Sequence, residues 1–185
     1  MFTAEDAASL YQFLEDNSIQ GWVVGGWGID ALLREQTRPH KDFDINVLLD
    51  DVVHMRLLLE QRGYTLAYLW EENCLAVDGH GSETPTAFVL RDPEGREVDV
   101  HALRLDEQGN GMPAWVNDDR YYEKSDLAGE GIISGVSVRC ISARMQVSSH
   151  TGYELPESQV QDLAKLVERF GIGSPDPINS ERRTA

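Results

Sequence analysis

Apolar and polar positions recur along this chain with two different periods, and the switches between them lay out the elements. Ala7, Leu10, Tyr11, Phe13 and Leu14 follow helical spacing. Thr3 and Asp6 stand three apart just ahead of them, the spacing of a capping box, so a helix is predicted to about Asn17. Trp22-Val23-Val24 is a short apolar run ending at Gly25-Gly26 and reads as a buried strand. Ile29, Leu32 and Leu33 mark one face of a short helix. After the polar loop 35–41, Phe43, Ile45 and Val47 alternate with Asp42, Asp44 and Asn46, which is strand periodicity. Asp50 or Asp51 is the expected cap of a helix carrying Val53, Leu57, Leu58 and Leu59 and closing at Gly63.

From Tyr64 onward strand patterns dominate, over 64–70, 74–77, 86–91 and 96–103. Asp92-Pro93-Glu94-Gly95 is a turn signal that joins the last two into a hairpin. Residues 106–130 are rich in Gly, Asp and Asn and read as loop with short extended pieces. A strand over 136–141 and a short helix over 142–149 follow. Pro156 opens a last helix through Val160, Leu163, Leu166, Val167 and Phe170, stopped by Gly171 and Gly173. The order is an N-terminal αβαβα unit feeding a strand-rich middle. A single domain over 1–173 is expected, with a disordered tail over 174–185, where two prolines accompany little apolar content.

Composition narrows the partners. There are 16 Lys+Arg against 32 Asp+Glu, a net charge of -16. Such a surface repels phosphate backbones, which disfavours DNA or RNA on a broad basic face. It suits a small cationic molecule, whose local concentration a negative cleft raises. No apolar run approaches the roughly 20 residues that span a bilayer. The acidic start, Met1 to Asp6, lacks the order of a signal peptide, so no membrane partner is expected and the cytoplasm is the default location. Cys74 and Cys140 show neither metal spacing nor a disulfide framework and read as ordinary thiols.

The candidate chemistry centres on Asp42-Phe43-Asp44. Residues i and i+2 of a strand share a face, so the two carboxylates stand side by side while Phe43 and Ile45 turn to the core. Carboxylates this close repel unless a cation sits between them. Mg²⁺ suits the position, being hard and usually held by one or two carboxylates plus substrate phosphates. A lone Asp-x-Asp is weak evidence, and three neighbours strengthen it. Gly25-Gly26 lies between a strand and a helix, where backbone N–H groups approach phosphate oxygens. Asp99 in Glu97-Val98-Asp99-Val100-His101 supplies a third acid if its strand lies beside that of Asp42, with Glu97 and His101 competing for the position. Arg38 or Lys41, just ahead of the acids, can neutralise triphosphate charge.

The joint string is similar to a known signature. Gly25-Gly26-Trp27-Gly28-Ile29-Asp30 followed by Thr37-Arg38-Pro39-His40-Lys41-Asp42-Phe43-Asp44 resembles the DNA polymerase beta-like nucleotidyltransferase superfamily. Within it, the string resembles the small antibiotic nucleotidyltransferases that act on lincosamides and aminoglycosides. Glu97–His101, His150–Leu155 and Asp162-Leu163 through Phe170-Gly171-Ile172 extend the resemblance over about 5–172. Lys41 and Phe43 depart from the usual polar residue and isoleucine. The resemblance implies a mixed, twisted sheet flanked by helices, of the α/β (α+β) class, with a C-terminal helical extension. It implies transfer of a nucleoside monophosphate, usually AMP from ATP, to an antibiotic hydroxyl, with loss of pyrophosphate. Asp42 and Asp44 match its metal ligands, Asp99 its third acid or general base, Gly25 and Gly26 its phosphate contacts, and Arg38 its triphosphate neighbour. Two Mg²⁺ ions suit an in-line displacement of this kind.

The acceptor is left open. The charge favours an aminoglycoside. Trp70, Trp115, Tyr121, Tyr122 and Tyr153 offer either core packing or the aromatic pocket a lincosamide would use. Glu71-Glu72 and Asp118-Asp119 are acidic runs that suit a cation. Other readings are a toxin–antitoxin-type enzyme modifying protein or RNA, a nucleotide-sugar enzyme, and a non-catalytic binding relative. A homodimer is one of the open oligomeric states.

Overall fold

The computed structural model describes residues 1–116, 120–150 and 155–173. The chain opens with α1 (Ala4–Asp16), where the capping box forms as expected. Asp6 N donates to Thr3 Oγ1 at 3.1 Å and Thr3 N to Asp6 Oδ2 at 3.2 Å. Then come β1 (Gly21–Val23), α2 (Gly25–Leu33), β2 (Asp42–Leu48), α3 (Leu49–Gln61), β3 (Thr65–Leu69), β4 (Leu75–Val77) and β5 (Glu83–Pro85). The remainder is β6 (Ala87–Arg91), β7 (Glu97–Leu105), β8 (Gly111–Pro113), β9 (Gly129–Ile133), β10 (Val136–Cys140), α4 (Ala143–Ser149) and α5 (Glu157–Phe170). The expected tail over 174–185 lies outside the described residues.

One mixed sheet organises the molecule, in the order β3-β6-β7-β2-β1-β10-β9, with β8 on the far half of β7. β2 runs parallel to β7 and antiparallel to β1, while β6 and β7 form the predicted hairpin. Asp92 makes its turn by accepting from Glu94 N and Arg96 N at 2.9 and 2.8 Å. The main core lies on one face. There Phe43, Ile45 and Val47 of β2 and Val98 and Val100 of β7 are buried with Leu10 and Leu14 of α1 and Val52, Met55 and Leu59 of α3. A smaller cluster, including Trp22, Leu103, Trp115 and Tyr122, forms separately.

Three expectations change. Neither Asp50 nor Asp51 caps α3, whose N-cap is Leu48 without a side-chain bond. Both acids sit in its first turn and tie down neighbouring amides, Asp51 accepting from Gln20 N at 2.9 Å and Asp50 from Gly79 N at 2.6 Å. The buried stripe of α3 is Leu49, Val52, Met55 and Leu59, and Leu57 faces out at 53% exposure. β5 and β9 were not legible as strands. Among the described residues β5 pairs only with β4, and β9 is rich in glycine, a poor strand former that is held here by five registered pairs with β10.

Candidate active site

The register of β2 against β7 assembles the acids. Asp44 is the direct partner of Asp99, Asp42 of Glu97, and Asn46 of His101. Alternation puts all six on the face opposite the main core. The structure also separates the three candidates for the third acid. Glu97 is engaged by Arg91, whose Nε lies 3.1 Å from its Oε1, and His101 sits one step beyond, leaving Asp99 opposite Asp44.

The turn before α2 closes one side of this face. Gly25 has φ +58, and a Cβ there would collide with the Asp44 carboxylate. A Cβ at Gly26 would run into the His40 ring. The glycines therefore let the first turn of α2 sit directly against Asp44, and Val24 N donates to Asp44 O at 3.0 Å. The N-cap, Val24, offers no side-chain acceptor. The N–H groups of Gly25 and Gly26 precede the first intrahelical bond, Gly28 N to Val24 O at 3.0 Å, and carry the positive end of the helix dipole.

Asp44 is correspondingly perturbed. Burial pushes its carboxyl well above the usual range, and the charges of Asp42 and Asp99 push it further, against a lowering by Arg38. A bound cation relieves this repulsion, so the donor set fits a hard divalent ion. Among the described residues no three Asp, Glu, His or Cys side chains close on a point to cage an ion. A hard divalent ion held by two carboxylates takes the rest of its shell from substrate phosphates and water.

Of the two cations ahead of the acids, Arg38 is the one whose charge acts on Asp44. Lys41 is exposed at the bend before β2. Arg38 is held from behind by α5, its Nε donating to Asp162 Oδ2 at 2.7 Å. Thr37 Oγ1 lies 2.9 Å from Asp162 Oδ1 and 2.6 Å from Asp30 Oδ1, and His40 Nε2 lies 2.5 Å from Asp30 Oδ2. Asp30 and Asp162 are both 3% exposed. Spacing along the chain does not single out Asp30 or Asp162. Their signal was an acid set inside an apolar helical pattern, Ile29-Asp30-Ala31 and Asp162-Leu163, which marks a buried, paired carboxylate.

Asp99 is fixed from its other side. Trp70 Nε1 donates to Asp99 Oδ1 at 3.0 Å, and His101 Nδ1 lies 3.3 Å from the same oxygen. Glu72 Oε1 in turn lies 3.3 Å from His101 Nε2. Burial lowers the affinity of the His101 imidazole for a proton. The bond to Asp99 and its charge, joined by Glu72, outweigh burial and raise it above the ordinary value. Trp70 and Glu72 are thus drawn into the site. Trp115 and Tyr122 are buried beside it, and His101 packs edge-on against Trp115 with centroids 4.8 Å apart. Tyr121 is exposed and donates to Asp106 at 3.1 Å. Tyr153 and Asp118-Asp119 lie outside the described residues. A cleft of about 180 Å³ opens over the acids, walled by Gly25, Asp44, Asp99, His101, Trp115 and Gln146 among others.

Residues 7–166 match the family described as aminoglycoside-2''-adenylyltransferase. The chain belongs to that family. It is accordingly a nucleotidyltransferase, as the paired acids and glycine turn suggest. Among similar proteins, a lincosamide resistance protein of Staphylococcus haemolyticus is 26% identical over 164 residues, covering 89% of this chain and 94% of that one. The crystal structure of the lincosamide antibiotic adenylyltransferase LnuA with lincomycin bound superposes with a TM-score of 0.73 at 26% identity, over 89% of this chain and 96% of that one. ANT(2'')-Ia in complex with adenylyl-2''-tobramycin has a TM-score of 0.65 at 16% identity, over 91% and 89% of the two chains, and shares the fold. None of the described helices is long and apolar enough to cross a membrane.

Proposed function

We propose that this chain transfers AMP from ATP to a hydroxyl of a small antibiotic, a lincosamide or an aminoglycoside, releasing pyrophosphate. The observation that carries the reading is the registered pair Asp44 and Asp99 facing the uncapped N-terminus of α2. Asp42, Asp44 and Asp99 would hold Mg²⁺, two ions in all. When bound, Mg²⁺ polarises the phosphoryl oxygens and offsets the charge that develops on them.

The chain's own groups do the rest. The N–H groups of Gly25 and Gly26 receive triphosphate oxygens at the helix N-terminus. Arg38, anchored through Nε, directs its remaining guanidinium nitrogens to the same anion. Lys41, exposed at the rim, adds only screened attraction. Asp99, with Oδ1 held by Trp70, takes the proton from the acceptor hydroxyl. The hydroxyl oxygen then bonds to the α-phosphorus as the bond from that phosphorus to the β-bridging oxygen breaks, and pyrophosphate leaves. Holding both reactants in one cleft supplies much of the acceleration.

The lincosamide reading is supported by 26% identity to both lincosamide relatives along most of the chain and by the aromatic wall of Trp115 and Tyr122. The aminoglycoside reading is supported by the family match and a net charge of -16. Incubation with Mg²⁺, each of ATP, GTP, CTP and UTP, and either lincomycin or tobramycin, read by mass spectrometry, tests both. An adenylyl adduct on one antibiotic is the expected result. The absence of any nucleotide adduct on either would overturn the proposal.

A further inference from the structure

Gln146 lines the cleft from α4 and is wholly buried, yet neither its Oε1 nor its Nε2 has a hydrogen-bond partner among the described residues. Both ends of a carboxamide left unpaired in an interior are uncommon, because each forfeits its bonds to water without replacement. The backbone around the residue is firmly set. Ser142 caps the helix by accepting from Met145 N at 3.1 Å, and Gln146 N donates to Ser142 O at 2.9 Å. The Gln146 carbonyl accepts from His150 Nδ1 at 2.7 Å. The amide therefore does not sit there by looseness of the helix.

Its neighbour makes room for it. A Cβ at Gly28 would collide with Gln146 Nε2 as well as with the Val23 carbonyl, so the bare position lets the amide lie directly against the first turn of α2. A methionine or leucine of similar volume would fill this space with no polar group to satisfy. Packing alone gives the carboxamide no use. Its place does, because it stands against the same helix end whose Gly25 meets Asp44, on the wall of the cleft that holds Asp44 and Asp99.

We propose that Gln146 is a specificity-determining residue that recognises a sugar hydroxyl of a bound substrate, and that this sugar is the ribose of the nucleoside triphosphate. A hydroxyl both donates and accepts, which matches a free Oε1 and a free Nε2. The terminal torsion of a glutamine is soft, so either atom turns toward the cleft without repacking the helix. The ribose is joined directly to the α-phosphate, where the transfer takes place. A site that hydrogen-bonds a hydroxyl discriminates strongly against the analogue that lacks it. The inference rests on the nucleotidyltransferase reading of the cleft.

The test compares the unaltered protein with Gln146→Met. Affinities for ATP, 2'-deoxy-ATP and 3'-deoxy-ATP are measured with Mg²⁺ by calorimetry, and the ligand-free melting temperature and KM for lincomycin and tobramycin are recorded. The unaltered protein is expected to bind ATP roughly tenfold more tightly than at least one deoxy analogue. Gln146→Met is expected to melt no lower than the unaltered protein and to bind all three nucleotides alike, at the weaker level. Equal affinity of the unaltered protein for ATP and both analogues overturns the ribose assignment without any variant. Unchanged ATP binding by Gln146→Met with a raised KM for an antibiotic moves the hydroxyl to the acceptor and likewise overturns it. If Gln146→Met matches the unaltered protein in every affinity, the amide has no recognition role. Failure of the unaltered protein to bind any nucleotide overturns the active-site reading itself, and this assignment with it.

Discussion

Asp44 and Asp99 stand directly opposite each other on adjacent parallel strands, although α3 and four strands separate them along the chain. Each has a second, different support. Asp44 abuts the first turn of α2, and Asp99 is held by the Trp70 indole. A carboxylate pair is thereby kept close in a partly dry cleft, with burial and mutual repulsion raising the Asp44 carboxyl. That arrangement is costly to the fold and useful to a cation-dependent reaction.

Asp44→Asn separates those two effects. The folded-state carboxyl is raised above its unfolded value, so at neutral pH its ionisation weakens the folded state, and the penalty fades as pH falls through the raised value. The amide should therefore melt about 2 °C or more above the unaltered protein when ligand-free, while adenylyl transfer falls by about 100-fold or more. Calorimetry and a turnover assay check the two halves. Normal turnover with Asn at this position sinks the metal-site reading.

Trp70→Phe keeps the ring and removes the donor to Asp99 Oδ1. A hydrogen bond to a charged acceptor contributes about 1.5–3 kcal/mol, and most of it should be felt in the transition state. The expected result is a fall in kcat of roughly tenfold with little change in KM for ATP. A change in KM alone would assign Trp70 to binding and not to the orientation of Asp99.

Arg38 and Lys41 should behave very differently despite standing three residues apart. Arg38→Ala should raise KM for ATP by about 100-fold, since it removes a charge-assisted contact in a shielded position. Lys41→Ala should change it less than about threefold, because an exposed charge is screened. Asp162→Ala should mimic a milder Arg38 loss. It also leaves Arg38 Nε without its carboxylate and Thr37 with Asp30 alone, at a cost of about 2 kcal/mol in urea unfolding. Equal effects at positions 38 and 41 would contradict the geometry.

His150 gives the fold a pH dependence. Burial lowers its affinity for a proton, opposed by its bond to the Gln146 carbonyl, and the net value lies below the ordinary 6.5. Above that pH both states are neutral there and nothing changes. As pH falls through 6.5 the unfolded chain takes the proton first, so stability should decline toward lower pH. His150→Gln should flatten the decline between about pH 6.5 and 5.5 in urea titrations. An unchanged slope in the variant would remove His150 as its source.

Much of this protein is written locally. The alternation of Asp42, Asp44 and Asn46 with Phe43, Ile45 and Val47 fixed which face carries acid, because strand geometry sends neighbours to opposite sides. Thr3 with Asp6, the Asp92–Gly95 turn and the Gly25-Gly26 break all formed where short-range chemistry demands them. The tertiary structure decided what those pieces meet. Glu97, Asp99 and His101 were equivalent on one strand face until the β2–β7 register paired Asp99 with Asp44. Arg38 and Lys41 were equivalent until Asp162, from the far end of the chain, fixed one and left the other in solvent. Trp70, Asp30 and Gln146 acquired their places only through contacts with distant segments. Periodicity reports the face a residue occupies and carries no information about what lies across from it, which the packing of distant strands and helices alone sets.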